Sequence, residues 1–251
     1  MKRYGEFASV YDIMQYDVDY ENWIAQIKTI VGANFTGARS MLELACGTGT
    51  IGIGLSKKGF IVDALDISED MLTVAQAKAY DHGVKMKFFH QDMIAFDTKK
   101  KYDVVYCMCD GLNYILDENS VTRVFKNVEK HLNPGGLFIC DLSSKYKLKE
   151  IIGNRTFAET FDQAAYIWEN EFDTQLNQLA FTLTLFKEED DGYQRYEEFH
   201  TQKAYESDDI IEIAKPFFTL LEILDGDTFE SVVETSERIC FILKKKILEA
   251  K

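Results

Sequence analysis

Positive charge is scarce in this chain. Its 251 residues carry 28 Lys and Arg against 42 Asp and Glu, a formal net charge of -14. Nucleic acids gain affinity by releasing counterions to Lys and Arg, so RNA and DNA are disfavoured as partners and small molecules favoured. The runs Lys99-Lys100-Lys101 and Lys244-Lys245-Lys246 are too short to alter that and read as a solvated loop and a strand end. Long apolar runs are missing as well. None approaches the ~20 residues that span a bilayer, and no apolar stretch follows the basic start Met1-Lys2-Arg3, so neither a membrane span nor a signal peptide is expected. The cysteines Cys46, Cys107, Cys109, Cys140 and Cys240 are odd in number, and four lie in stretches that read as buried strands or strand ends. A disulfide framework is thereby disfavoured and a reducing cytoplasm expected. No Ser-His-Asp arrangement and no metal-ligand spacing is present. Cys107 and Cys109 flank Met108 in a strand pattern and do not form a site with His90, so no metal is expected.

Strand-like and helix-like stretches alternate from about residue 20 to residue 142, the pattern of a doubly wound α/β domain. Tyr20, Trp23, Ile24, Ile27 and Ile30 follow a helical period. Strands are expected at 40–45, 60–66, 86–89, 102–107 and 137–142. Ser68, followed by Glu69 and Asp70, reads as a helix N-cap with acids in the first turn. Asn133-Pro134-Gly135-Gly136 stops the helix that begins at Glu118. From Phe157 to Tyr205 the pattern changes to alternation, with gaps at 173–175 and 188–192, which predicts antiparallel hairpins after the fifth strand. A short helix at 207–215 and strands at 217–224 and 238–243 complete the chain. There is no repeat and no low-complexity linker, so the hairpins belong to one folded unit. The division expected is a core of residues 1–142 and 206–251, with 143–205 as an inserted lid and acceptor-binding subdomain.

Gly47-Thr48-Gly49-Thr50-Ile51-Gly52 fits G-x-G-x-x-G between a strand and a helix, and Asp66 ends the next strand, placed to hold ribose hydroxyls. Two ligands fit this pattern: a nicotinamide dinucleotide, which would make the chain a dehydrogenase, and S-adenosylmethionine. Glu43, in the strand before the turn, favours the second. A carboxylate there suits the ammonium and sulfonium of S-adenosylmethionine and is unhelpful beside a pyrophosphate. Gln91-Asp92-Met93 adds an acceptor where an adenine amino group donates, and two closing strands suit a seven-stranded sheet with an antiparallel end.

Taken together, Glu43-Leu-Ala-Cys-Gly-Thr-Gly49, Leu65-Asp-Ile-Ser-Glu-Asp-Met71, Gln91-Asp-Met93 and Leu132-Asn-Pro-Gly-Gly136 resemble the motif series of class I S-adenosylmethionine-dependent methyltransferases. The likeness covers residues 40–142 and departs at Ala45, where that family commonly has glycine. It implies a seven-stranded Rossmann-like sheet and S-adenosylmethionine as cofactor, with S-adenosylhomocysteine as product. By position, Ala45, Gly47 and Gly49 would line the methionine part, and Asp66 would accept from both ribose hydroxyls. Ile67 and Met71 would flank the adenine, Asp92 and Met93 would read its edge, and Cys109 and Asp110 would lie near the methyl.

The segment Tyr4–Asp12 is similar to the one that caps the donor in several small-molecule methyltransferases, and an aromatic face at Tyr4 or Tyr11 suits a sulfonium. The hairpins and Ser236-Glu-Arg238 resemble those of amino-sugar N,N-dimethyltransferases acting on nucleotide-linked sugars. Arg238 is therefore the candidate for an anionic group on the acceptor. Asp110, Tyr114 and His200 are candidates to take a proton from a nitrogen acceptor. His82 and His131, at helix ends, are expected to be solvated, and Trp23 and Trp168 to be packing residues. A non-catalytic S-adenosylmethionine or nucleotide-binding module is the alternative from another class. Whether nitrogen, oxygen or carbon is methylated, and the oligomeric state, stay open at this stage.

Overall fold

A computed structural model describes residues 6–189 and 192–247 of the protein. Its organising element is a seven-stranded sheet in the order β10-β11-β5-β4-β1-β2-β3. The strands are β1 (Ser40–Leu44), β2 (Ile61–Asp66), β3 (Lys87–His90), β4 (Tyr102–Cys107), β5 (Leu132–Ser143), β10 (Phe218–Asp225) and β11 (Arg238–Lys245). Strands β1 to β5 are parallel, and β11 runs antiparallel to both β5 and β10. The chain winds from β1 through β2 to β3 and then crosses to β4 on the other side of β1. Connections thus leave β1 in opposite directions, which opens a crevice at the carboxyl ends of β1 and β4, where ligands bind in such sheets.

Two apolar layers hold helices to the sheet. On one face Leu42, Leu44, Val105 and Phe138 pack with α5 (Glu118–His131) and α6 (Ser207–Ala214). On the other, Met41, Val104, Tyr106 and Ile139 pack with α2 (Tyr20–Asn34) and α3 (Thr50–Lys57). The odd-even alternation along each strand sets which residue joins which layer, and each side chain buried contributes about 1.5–3 kcal/mol. Side chains cap the helix starts: Asp19 accepts from Asn22 N–H at 3.0 Å to open α2, and Ser68 Oγ, the cap expected from the sequence, accepts from Met71 N–H at 3.2 Å to open α4 (Glu69–Asp81). His131 departs from expectation. It is buried against Phe96, ring centroids 4.5 Å apart, with Nδ1 2.8 Å from the Asn127 carbonyl.

The hairpins after β5 form a second, antiparallel sheet in the order β6-β7-β8-β9: β6 (Thr156–Thr160), β7 (Ala164–Asp173), β8 (Gln178–Glu189) and β9 (Gly192–Lys203). One face of this sheet presents Ala164, Leu183 and Leu185 to Phe7, Ala8 and Val10, which in turn cover Met71 of α4. The N-terminal segment, with the short helix α1 (Tyr11–Met14), is therefore sandwiched between the two sheets' layers. Among the described residues no helix is long and apolar enough to cross a membrane.

Candidate functional site

The glycine turn leaves β1 through two left-handed residues, Ala45 at φ 51° and Gly47 at φ 52°, and enters α3 through a third, Gly49 at φ 75°. Glycine adopts this conformation without strain and alanine does not. Gly52 is needed for contact: a Cβ there would lie 2.3 Å from Glu43 Oε2 and 2.7 Å from the Met86 methyl, so only glycine lets α3 lie this close to β1.

Beside the turn, Asp66 ends β2 as a buried carboxylate. Gly47 N–H donates to its Oδ2 and Ser68 N–H to its Oδ1, both at 2.8 Å. Burial raises its pKa, and the Ser68 and Gly47 amides oppose that shift. Each oxygen keeps a lone pair for a further donor. Asp66 borders a cleft of about 110 Å³ also lined by Ala45, Ile67, Asp92, Met93 and Tyr114. Ile67 is 51% exposed there, an uncovered apolar side chain beside an acceptor pair. Asp92 is exposed, with Oδ1 accepting from Ile94 N–H at 2.8 Å.

Glu43 lies beneath the glycine turn rather than in the cleft. It is 4% exposed, and among the described residues its Oε2 has no hydrogen-bond partner. Burial pushes its carboxyl up to about 8, against the lowering effect of the Tyr106 hydroxyl and the Gly52 amide. It is thus largely protonated at neutral pH. Met71 is a correction of another kind. It was expected to flank an adenine, but it is buried under Phe7, Ala8 and Val10 and does not line the cleft.

The N-terminal segment closes over the turn through Asp12. Thr48 Oγ donates to Asp12 Oδ1 at 2.6 Å, and Lys78 of α4 pairs with Asp12 while donating to Thr48 Oγ and Thr50 Oγ at 3.1 and 2.9 Å. Tyr11 accompanies it. Burial pushes its phenol well above the ordinary range, and nearby Cys109, Tyr20, Asp110 and Tyr114 push the same way. Tyr4 lies outside the described residues.

At the carboxyl end of β4, Cys109 and Asp110 are both left-handed, at φ 61° and 53°. Their amides converge on the fully buried carboxylate of Asp141: Asp110 N–H donates to Oδ1 at 2.8 Å and Cys109 N–H to Oδ2 at 3.2 Å. Arg238, 7% exposed, donates through one nitrogen to Asp141 Oδ2 at 3.0 Å and Asp110 Oδ1 at 3.1 Å. Its Nε lies 3.5 Å from Asp227 Oδ1, and its guanidinium stacks over Trp23 at 5.0 Å. The expectation that Arg238 holds an anionic group of the acceptor is therefore corrected. A buried guanidinium shared among three carboxylates has neither spare charge nor access for a phosphate.

His200 and Tyr114 are brought together across the two sheets, His200 from β9 and Tyr114 from the 3₁₀ turn Gly111–Tyr114, with ring centroids 5.9 Å apart. His200 is buried, stacks on Phe181 at 4.9 Å and sets Nε2 3.0 Å from Glu198 Oε2. Sequence reasoning missed the residues that join the sheets. Gln202 Nε2 donates to Asp110 Oδ2 at 2.7 Å, and buried Asn113 donates to the Ser143 and Lys203 carbonyls at 3.1 and 2.9 Å while accepting from Ser143 N–H at 3.0 Å. Lys78 was likewise missed, and Asp12 and Thr48, though inside the recognised segments, were given no role of their own. Their pairing joins three segments distant in the chain, so no local pattern signals it.

A methyltransferase domain family matches residues 41–136. A Geobacillus protein bearing a methyltransferase name is 36% identical over 245 residues, spanning 96% of this chain and 99% of that one. The crystal structure of an S-adenosylmethionine-dependent methyltransferase from Clostridium acetobutylicum superposes with a TM-score of 0.88 at 33% identity, covering 96% of this chain and 98% of that one. The dTDP-3-amino-3,6-dideoxy-alpha-D-glucopyranose N,N-dimethyltransferase of Streptomyces fradiae is 26% identical over 139 residues, covering 55% of this chain and 53% of that one.

Proposed function

Because the chain belongs to the S-adenosylmethionine-dependent methyltransferases, we propose that it methylates a small-molecule acceptor, an amino sugar carried on a nucleotide being the first candidate. The observation that carries this reading is the cleft beside the glycine turn, where Asp66, Ile67, Asp92 and Met93 face one space. The residues present fit the donor. Asp66 keeps an accepting lone pair on each oxygen for the ribose, exposed Ile67 offers an apolar face to the adenine, and Asp92 is an acceptor for its amino edge. Ala45, Gly47 and Gly49 give the backbone room for the methionine part, and Tyr11 and Cys109 border its far end. With membership in this family, the dehydrogenase and non-catalytic readings of the glycine turn fall away.

Bound there, S-adenosylmethionine supplies an activated methyl group that is transferred in line, with a neutral sulfide leaving. The protein's share of the work is alignment and exclusion of water, effects worth several kcal/mol when geometry is good. The N-terminal segment, held at Asp12 by Thr48 and Lys78, covers the donor side. The inner face of the second sheet, with His200 and Phe181 opposite Tyr114, faces the acceptor side. In this reading residues 1–142 and 206–251 bind the donor and 143–205 select the acceptor. Unpaired cysteines support a reducing, cytoplasmic setting.

The relative that acts on a nucleotide-linked amino sugar supports the choice of acceptor class, as does the acidic balance of the chain, which disfavours nucleic acid. A screen of nucleotide sugars, small amines, carboxylates and bulk transfer RNA, read as S-adenosylhomocysteine formed, tests it. Turnover of a small molecule is expected, and turnover confined to RNA would overturn the reading.

A further inference from the structure

Three carboxylates share one guanidinium at the end of β4. Asp141 is fully buried and Arg238 nearly so, whereas the Asp110 side chain is 21% exposed and Asp227 49%. Asp110 is the member beside Tyr11 and Cys109, and Gly111, which follows it, packs against Ala45 of the donor cleft. Its carboxylate is aimed from two sides. Arg238 of β11 holds Oδ1 at 3.1 Å and Gln202 of β9 holds Oδ2 at 2.7 Å. Its backbone is left-handed, as is that of Cys109, a conformation that non-glycine residues keep only where surroundings over-determine it. Here the Asp141 carboxylate does so by taking both amides.

We propose that Asp110 docks the amine of the methyl acceptor, and that Arg238 and Gln202 position its carboxylate. This deepens the small-molecule reading above and rests on it. The charge flow of the reaction supplies the reason. The amine docks as an ammonium and first gives a proton to water; as the methyl then moves, the freed nitrogen lone pair forms the N–C bond, the C–S bond breaks and its electron pair stays on sulfur. Positive charge passes from sulfur to nitrogen, and the methylated ammonium then gives a proton to water. A carboxylate fixed at the nitrogen end stabilises the arriving charge. An acceptor working through a phenolate or carboxylate oxygen would instead bring negative charge to a site where carboxylates already outnumber cations, and would be repelled. Both partners of Asp110 are spent on orientation. Gln202 also ties the docking carboxylate to the strand that carries His200, so a shift of the second sheet moves the carboxylate with it.

The test uses the full chain and matched pairs of probes: alkylamines, free amino sugars and nucleotide-linked amino sugars, each against its hydroxyl counterpart. Binding is measured calorimetrically with S-adenosylhomocysteine present, and turnover with S-adenosylmethionine. At least one amine should bind and turn over about tenfold or more better than its alcohol, the scale of one charged contact. Asp110→Asn should abolish that preference while S-adenosylmethionine affinity stays within about threefold. Gln202→Ala should lower kcat about tenfold with KM nearly unchanged, because the charge remains but its aim is lost. Arg238→Lys should recover part of the activity lost in Arg238→Ala. Should the arginine variants fail to fold, the split in Gln202→Ala decides the positioning role. Equal or better use of the alcohols, no pair showing an amine preference, or an unchanged preference in Asp110→Asn would overturn the proposal. Failure to bind S-adenosylmethionine at all would strike the donor reading instead, so the two failures are distinguishable.

Discussion

Ala45 carries the least comfortable backbone of the glycine turn, since at φ 51° its Cβ crowds its own carbonyl and a glycine would not. Ala45→Gly should therefore stabilise the fold by about 0.5–1 kcal/mol, less a small loss of packing. Urea denaturation checks this, and a destabilised variant would mean that the methyl's packing against Gly111 outweighs the strain. Glu43 is the second residue with a measurable signature. Its folded value of about 8 lies above the ordinary 4.5, so its contribution to stability is fully present below 4.5 and lost as pH rises through 8. Stability should fall across that window, and Glu43→Gln should flatten the fall. If a cationic donor binds above it, the carboxyl should release its proton. Calorimetry at pH 7 in buffers of different ionisation enthalpy should show up to about one proton released, and none well above pH 8. Binding with no proton release at pH 7 would separate Glu43 from the donor. The residues of the turn were legible in the sequence because they are chain neighbours at fixed spacing, and Asp66 because a strand end fixes its distance from them. The protonation of Glu43 was not legible, since it depends on Gly52 and Tyr106 closing over the side chain.

Among elements, the seam between the sheets is the most informative. The side chain of Asn113 makes its three bonds to Ser143 and Lys203 without access to water, joining the 3₁₀ turn to the ends of both β5 and β9. Asn113→Ala would strand buried carbonyls and an amide, and should cost about 2–3 kcal/mol. Hydrogen exchange should show the loss concentrated in β9 and the turn, with β1 and β2 little changed. Uniform loss would mean that the sheets do not open separately. Strand and helix order was readable from periodicity and caps, down to the change from parallel to antiparallel at β6. The sandwiching of residues 7–10 between the sheets was not, because it is an agreement of apolar faces from three distant segments: the N-terminus, α4 and β8. For the same reason Met71, apolar and next to a binding motif, was assigned to the ligand rather than to the core.

At the scale of the molecule, the acidic balance pointed away from polyanions, and the fold concentrates part of that acidity at the end of β4, around a single arginine. Arg238 and Asp110 are 128 residues apart, and Gln202 and Asp110 are 92 apart, so no local pattern announces their contact. Read singly, Arg238 suggested an anion site. The fold shows instead that its charge is spent internally. The cleft proposed to hold the donor is built from one crossover of the doubly wound sheet, and the central claim is that S-adenosylmethionine binds there. Titration calorimetry of S-adenosylmethionine into the protein and into Asp66→Ala tests that claim most directly, with circular dichroism to verify the fold. Saturable binding is expected, weakened about ten- to a hundredfold in the variant, the scale of a lost charged hydrogen bond pair. Unchanged affinity in a folded Asp66→Ala would contradict it.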